Sequence, residues 1–348
     1  MNPAASGGDG AVPGGSSPAI QWYPGHIAKA ERALSANLEK VDLVIEVRDA
    51  RIPLATGHPR LQRWIRGKRH LLVINRRDMV SDEARLAWDR WFRQRGEVPW
   101  WCDARAGTGV KQLQQAAIRA GEDLNARRAG RGMRPRPVRA LMLGFPNVGK
   151  SALINRLVRR RVVESARRAG VTRALRWVRL GQALDLLDAP GVLPPRLDDQ
   201  AAALRLALCD DNGQAAYDVE SVARAFLTLL GRLAREPAAA VSGVSQTLLQ
   251  ERYGVPQPGP GTPSEAGTGW LEAAAARHTG GDTTRMAQRL LDDFRTLRLG
   301  PIALELPPER EGPIEPGDGE GRASAKARGS CSPSTTQSRC RCGSTAGW

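Results

Sequence analysis

Gly144-Phe145-Pro146-Asn147-Val148-Gly149-Lys150-Ser151 sets two glycines five positions apart, followed by a lysine and a hydroxyl. That spacing suits a loop whose backbone N–H groups curl around phosphate oxygens at a helix N-terminus. Lys150 would neutralise the β/γ oxygens, and the Ser151 hydroxyl would ligate Mg²⁺. Downstream, an apolar run ends in Asp188-Ala189-Pro190-Gly191. Asp188 can hold the metal through its water shell, and Gly191 can offer its N–H to a γ-phosphate. Alone, such a tetrapeptide is an ordinary turn; following the phosphate loop, it points to a nucleoside triphosphate. Between the two, Thr172 of Gly170-Val171-Thr172 supplies a hydroxyl that would complete the Mg²⁺ shell when γ-phosphate is present and so order a switch segment.

Base choice falls to Asn75-Arg76-Arg77-Asp78. A carboxylate can accept both hydrogen bonds from the N1 and N2 edge of guanine, a pairing that adenine does not offer, so Asp78 selects GTP. The tetrapeptide resembles the Asn-Lys-x-Asp signature of GTPases, with Arg76 in the lysine position, where its planar group can lie flat over the base. Cys102-Asp103-Ala104-Arg105 resembles the looser Ser-Ala-Lys element, which implies that the backbone N–H of Ala104 approaches the guanine oxygen. In ordinary GTPases the base motifs follow the phosphate loop. Here they precede it, so the order is permuted. Sheet neighbours build such a site, and rejoining the chain at surface loops leaves it intact.

These motifs need strands behind them. Apolar, β-branched runs at Val41–Val47, Leu71–Ile74 and Val98–Trp101 each end at a polar cluster, and helical stretches lie around Leu61 and from Ala84 to Phe92. Further strands are expected at Val138–Leu143, Leu175–Leu180 and Leu184–Leu187, six in all. The alternation predicts an α/β fold with a mainly parallel sheet and ligands at the strand C-termini. Ala126–Arg139, with six arginines among Gly and Pro, reads as a mobile basic connector between the two halves. After Asn212 the pattern turns helical. Val219, Val222, Ala223, Phe226, Leu227 and Leu230 form one apolar stripe and Met286, Leu290, Leu291 and Phe294 another, with a Gly/Pro-rich interruption at 256–269. Trp88, Trp91, Trp100 and Trp101 fall on helix and strand and are expected to pack in the core.

The chain carries 52 Lys and Arg against 36 Asp and Glu, a net charge of +16. Such an excess suits contact with polyphosphate or RNA, or serves only solubility. Cys102 and Cys209 stand alone, and the tail cysteines Cys331, Cys340 and Cys342 lack a nearby fourth zinc ligand, so no disulfide framework is expected. No apolar run reaches the ~18 residues of a membrane span, and no signal pattern opens the chain; the expectation is a cytoplasmic protein with no membrane partner. The domain reading is a disordered leader at 1–20, a nucleotide-binding domain at 21–212, a helical domain at 213–306 and a disordered tail at 307–348.

Trp22-Tyr23-Pro24-Gly25-His26-Ile27-Ala28-Lys29-Ala30 and Asp49-Ala50-Arg51-Ile52-Pro53-Leu54, together with the permuted motifs, resemble the circularly permuted GTPases of ribosome assembly, specifically the ribosome biogenesis GTPase A family. Glu251–Val255 and Leu291–Gly300 are similar to that family's C-terminal helical RNA-binding domain, and the resemblance covers about 21–306. It implies a P-loop GTPase domain with a circularly permuted, mainly parallel six-stranded sheet, followed by a small all-α domain. It also implies a monomer that acts on the large ribosomal subunit precursor and its rRNA. Val192 occupies the position after Gly191 where many GTPases carry a water-orienting glutamine, and it has no group to do this. The resemblance implies His26 for that role, the alternative being that His26 only fixes its turn or meets RNA. It likewise implies a K⁺ ion beside Asn147, the alternative being a loop-capping amide. Rival functions are a nucleotide-sensing RNA chaperone with little turnover and an unrelated P-loop ATPase or kinase.

Overall fold

The computed structural model describes residues 36–159, 176–189, 191, 199–211, 217–235, 237–258 and 263–308. Six strands form one sheet: β1 (Leu43–Asp49), β2 (Arg69–Asn75), β3 (Pro99–Trp101), β4 (Val138–Gly144), β5 (Arg176–Leu180) and β6 (Leu184–Asp188), in the spatial order β3-β2-β1-β4-β6-β5. Every neighbouring pair is parallel except β5 with β6. The phosphate-loop strand β4 is thus flanked by β1 on one side and β6 on the other. The chain starts in the middle of the sheet, builds outward to β3, and returns through β4 to the opposite edge.

Register decides where the motifs meet. Asp49 lies opposite Asn75, Val47 opposite Gly144, Met142 opposite Asp188 and Ile74 opposite Trp101. The ends of β1, β2, β3, β4 and β6 therefore all fall on one edge of the sheet, as parallel α/β sheets require for a ligand site. The central strand β1 is covered on both faces, one lined by Leu43, Ile45 and Val47 and the other by Val44 and the Glu46–Arg48 ion pair. Its Leu43, Ile45 and Val47 side chains belong to a core that continues without a break to Phe226, Leu230 and Phe294. On the other face Val44, Leu141, Leu143 and Leu187 meet Leu61 and Trp64.

Before β4 the helices are α1 (Leu61–Ile65), α2 (Asp82–Gln94) and α3 (Val110–Ala129); α4 (Lys150–Val158) follows the phosphate loop and α5 (Gln200–Cys209) follows β6. Ser81 caps α2 by accepting from Ala84 N at 3.0 Å. Trp88 is fully buried and stacks near Trp91 and Phe92, and Trp101 donates from its indole N–H to Asp89, so these rings serve packing. Two expectations need correction. Most of Ala126–Arg139 is not a loose connector: α3 runs to Ala129, Asn125 clasps both backbone groups of Arg136, and the Arg136 guanidinium grips both oxygens of Asp42 at 2.7 and 2.8 Å. The interruption at 256–269 is also shorter, because a helix already begins at Pro263.

The helical part comprises α6 (Val219–Leu233), α7 (Ala238–Ser242), α8 (Leu248–Tyr253), α9 (Pro263–His278) and α10 (Thr283–Arg295), with α6, α9 and α10 packed on one another. Described residues through Pro307 form one compact unit. Asp293 ties α10 to α8 by accepting from Tyr253 Oη and Arg252. The segment after α10 returns to the sheet: Leu304 N donates to Arg51 O, and Glu305 accepts from the backbone of Leu54 and Ala55. Burial lifts the Glu305 carboxyl to about 7 against the opposing pull of Arg205. Among the described residues no helix is long and apolar enough to cross a membrane. Cys102 and Cys209 are both free and buried.

Candidate nucleotide site

The loop from Gly144 to Ser151 leaves β4 and enters α4 directly, so the first N–H groups of α4 face the loop's concavity. Gly149 has φ 97° and lies against Asn75, whose Nδ2 would stand 2.3 Å from a β-carbon placed there; only glycine fits. Asn147 is left-handed too, at φ 58°. Val148 is fully buried, which anchors the loop from below. Lys150 Nζ donates to the carbonyls of Gly144 and Phe145 at 3.0 and 2.7 Å. Burial pulls its pKa down to about 8, against the opposing charges of Asp188 and Asp211. Ser151 sits half-buried in the first turn of α4.

Asp188 closes β6 with no exposed surface, and among the described residues neither of its carboxylate oxygens has a hydrogen-bond partner. Burial lifts its pKa to about 6, with Lys150 pulling the other way. A buried, unsatisfied carboxylate is costly unless something polar joins it. A hydrated Mg²⁺ next to the Ser151 hydroxyl supplies such a partner, so the residues present fit the ion. Gly191 packs on the phosphate loop so closely that a β-carbon would lie 2.6 Å from the backbone of Pro146. His26, Thr172 and Val192 lie outside the described residues.

Asn75 joins both halves of the pocket: its Nδ2 donates to Val148 O at 2.9 Å, and its Oδ1 accepts from Ala104 N at 3.1 Å. The amide that the sequence reading aims at a guanine oxygen is therefore held by Asn75. The next two, of Arg105 and Ala106, are donated to Asp103. Asp78 stands exposed on a 3-10 turn, Arg77–Met79, immediately beyond. Partial burial and the nearby Asp103 carboxylate raise its pKa, with Arg105 and Arg76 opposing.

Arg76 departs from the flat-over-the-base expectation. Its guanidinium is committed to Asp49 Oδ2 at 3.0 Å, to Asp211 Oδ1 at 3.5 Å and to the carbonyl of Asn147. Only its methylene stem is left to cover a base. The Asn147 side chain donates from Nδ2 to Asp210 O at 2.7 Å. Asp210 and Asp211, immediately after α5, are thus part of the site although no motif marks them. The one sequence cue is a pair of acids directly after an apolar helix.

A phosphate-loop sequence running into a helix, a buried aspartate without a hydrogen-bond partner among the described residues and an exposed carboxylate beyond β2, gathered on one edge of a sheet with permuted motif order, have the arrangement of a circularly permuted P-loop GTPase. Residues 139–241 match the family model described as 50S ribosome-binding GTPase. The chain is 31% identical to Ribosome biogenesis GTPase A of Bacillus licheniformis over 293 residues, 83% of this chain and 98% of that one. To the Bacillus cereus protein of the same name it is 40% identical over 188 residues, 54% of this chain and 64% of that one. GNP-bound YlqF from T. maritima shares the fold with a TM-score of 0.51 at 20% identity, covering 80% of this chain and 98% of that one. The chain belongs to the ribosome biogenesis GTPase A family: it is a GTP hydrolase with a role in ribosome biogenesis.

Proposed function

We propose that the chain binds Mg·GTP on the edge formed by Asn75, Gly144–Ser151 and Asp188, acts in assembly of the large ribosomal subunit, and turns over faster on the pre-ribosomal particle. The observation that carries this is the double hydrogen bond of Asn75, which locks a guanine-selecting loop to a phosphate loop. In this reading Asp78 accepts hydrogen bonds from guanine N1–H and N2–H, the Arg76 stem and Ala104 frame the base, and Asn147, Val148, Gly149, Lys150, Ser151 and Gly191 surround the phosphates. Ser151, Thr172 and, through water, Asp188 hold Mg²⁺, which offsets charge on the β/γ oxygens.

Hydrolysis needs an oriented water. Position 192 is valine, and the family resemblance gives the role to His26 when the particle docks. Asn147 Oδ1 is the atom that would ligate K⁺; the amide's other end already braces Asp210. rRNA and the large subunit precursor are the partners, met by a monomer in the cytoplasm through its helical domain at 213–306 and its basic surfaces.

The test is GTP hydrolysis, with ATP as control, in K⁺ and Na⁺ buffers, with and without large ribosomal subunits, for wild type, Lys150→Ala and His26→Ala. The expected result is subunit-dependent GTP turnover that Lys150→Ala abolishes and His26→Ala strips of its stimulation. GTP binding without stimulation would instead make the chain a nucleotide-sensing RNA chaperone.

A further inference from the structure

Arginine in place of lysine at position 76 has a structural counterpart in the buried charges around it. A guanidinium is a planar fork of five N–H donors that can serve several acceptors at once, where an ammonium is a point charge. Arg76, left-handed at φ 61°, meets three groups: Asp49 through Nη1 at 3.0 Å, the Asn147 carbonyl through Nη2, and Asp211, whose Oδ1 lies 3.5 Å from Nη2 without a hydrogen bond. Asp49 is itself gripped by Arg51, whose Nε and Nη2 lie 3.0 and 2.8 Å from its two oxygens. Arg51 reaches on to Cys209 O at 3.2 Å, and its guanidinium carbon stands 5.3 Å from the centre of the Phe294 ring. Asp49, Arg51 and Asp211 are almost wholly buried. The end of α5 therefore touches the phosphate loop by two routes, through Asp211 and Arg76 and through the Asp210 carbonyl on Asn147.

We propose that Asp211, together with Asp49, is a positioning residue for guanine-nucleotide binding: it holds Arg76 against the phosphate loop, and so couples the pocket to the junction where the chain enters the helical part. The proposal rests on Asn75–Asp78 being the base-reading loop. Burial raises the Asp211 carboxyl well above the usual carboxylate range against the pull of Arg76, so it braces Arg76 as a buried polar partner, and partners of this kind fix a geometry and lose much of their effect when one member is removed. A ligand that shifts the helical part then changes nucleotide affinity, and nucleotide changes that ligand's affinity by the same factor.

The experiment is a double-mutant cycle on the full chain, Asp211→Ala and Arg76→Lys singly and together, with Asp49→Asn as a second entry to the same cluster. Dissociation constants for fluorescent GTP and GDP analogues are measured with ATP as competitor, at a temperature where melting curves show every variant folded. Each single variant is expected to weaken both guanine nucleotides about tenfold, and the double variant no more than Arg76→Lys alone, because Asp211 acts on the pocket through Arg76. Wild-type affinity in Asp211→Ala and Asp49→Asn, or effects of Asp211→Ala and Arg76→Lys that multiply, overturns the proposal while leaving the base-reading loop intact. A wild-type chain that binds ATP as tightly as GTP overturns the base-loop reading and this proposal with it.

Discussion

Asp78 and Asp188 are both carboxylates of one pocket, yet their surroundings suit them to different tasks. Asp78 is exposed and, in the proposed reading, accepts hydrogen bonds from a base; the expected outcome of Asp78→Asn follows from donor geometry. The amide Nδ2 would face the guanine amino group, donor against donor, whereas xanthine offers a carbonyl there, so GTP affinity should fall on the order of a hundredfold and xanthosine triphosphate should gain. Competition binding with the two nucleotides checks this, and an unchanged GTP preference would remove Asp78 from base recognition. Asp188 is buried and lifted to about 6, and Lys150 is lowered to about 8. Mg·GTP needs the first ionised and the second charged. Below about 6 Asp188 holds a proton that metal must displace, and above about 8 Lys150 loses the charge that phosphate requires. Affinity should therefore peak near neutrality and fall about tenfold from pH 7 to pH 5 through Asp188 alone. The nucleotide's own phosphates also protonate in that range, but equally for every variant. The reading is thus the difference in acid slope between wild type and Asp188→Asn, which titration calorimetry across pH 5–9 can measure; equal slopes would contradict it.

At the scale of elements, Asn75 pins three loops that sequence keeps far apart. Asn75→Ala leaves Val148 O and Ala104 N without that partner in a buried setting, at a cost of roughly 1–3 kcal/mol for each group. GTP and GDP should weaken together by one to two orders of magnitude, with a lower melting temperature, since no contact to the γ-phosphate is touched; a loss confined to GTP in equilibrium binding would argue against the clamp. How much of this was legible beforehand follows from the same distinction between local and distant. The strands were readable because apolar runs such as Val44-Ile45-Glu46-Val47 and Leu71–Ile74 stop at polar clusters, and the phosphate loop because its glycines and lysine are neighbours in sequence. Helix α3 was not read: its buried face is Val110, Leu113, Ala116, Ala117 and Gly121, too small to make a strong stripe, and Gly121 is needed because a β-carbon would lie 1.7 Å from Val138. The helix 263–278 hid behind the Gly and Pro residues at its start. The Arg51–Cys209 contact joins residues 158 apart, a relation that no local pattern encodes.

The whole molecule carries its excess charge unevenly. Where α3 ends and β4 begins, Arg127, Arg131, Arg134 and Arg139 are exposed, and among the described residues none of these four side chains makes an ion pair. They lie at the N-terminal end of β4, while the phosphate loop leaves its C-terminal end, about 23 Å away for seven residues at ~3.3 Å each. Asn125 and Asp42 hold Arg136 in place beneath them, so the cluster is presented on a fixed support. Fixed, unpaired arginines at the sheet end remote from the nucleotide suit contact with an RNA backbone without disturbing the pocket. Replacing Arg127, Arg131 and Arg134 by glutamine should therefore weaken binding to large subunits and flatten its dependence on salt, while GTP and GDP affinities stay at wild-type values. Each lost phosphate contact removes roughly 0.7–0.9 from the slope of log affinity against log salt, so three should remove about 2. Salt titrations of subunit binding by wild type and the triple variant read this directly. A shallower slope with intact nucleotide binding assigns the crest to RNA; an unchanged slope means that these charges only solvate the surface and that the RNA contacts lie elsewhere on the chain.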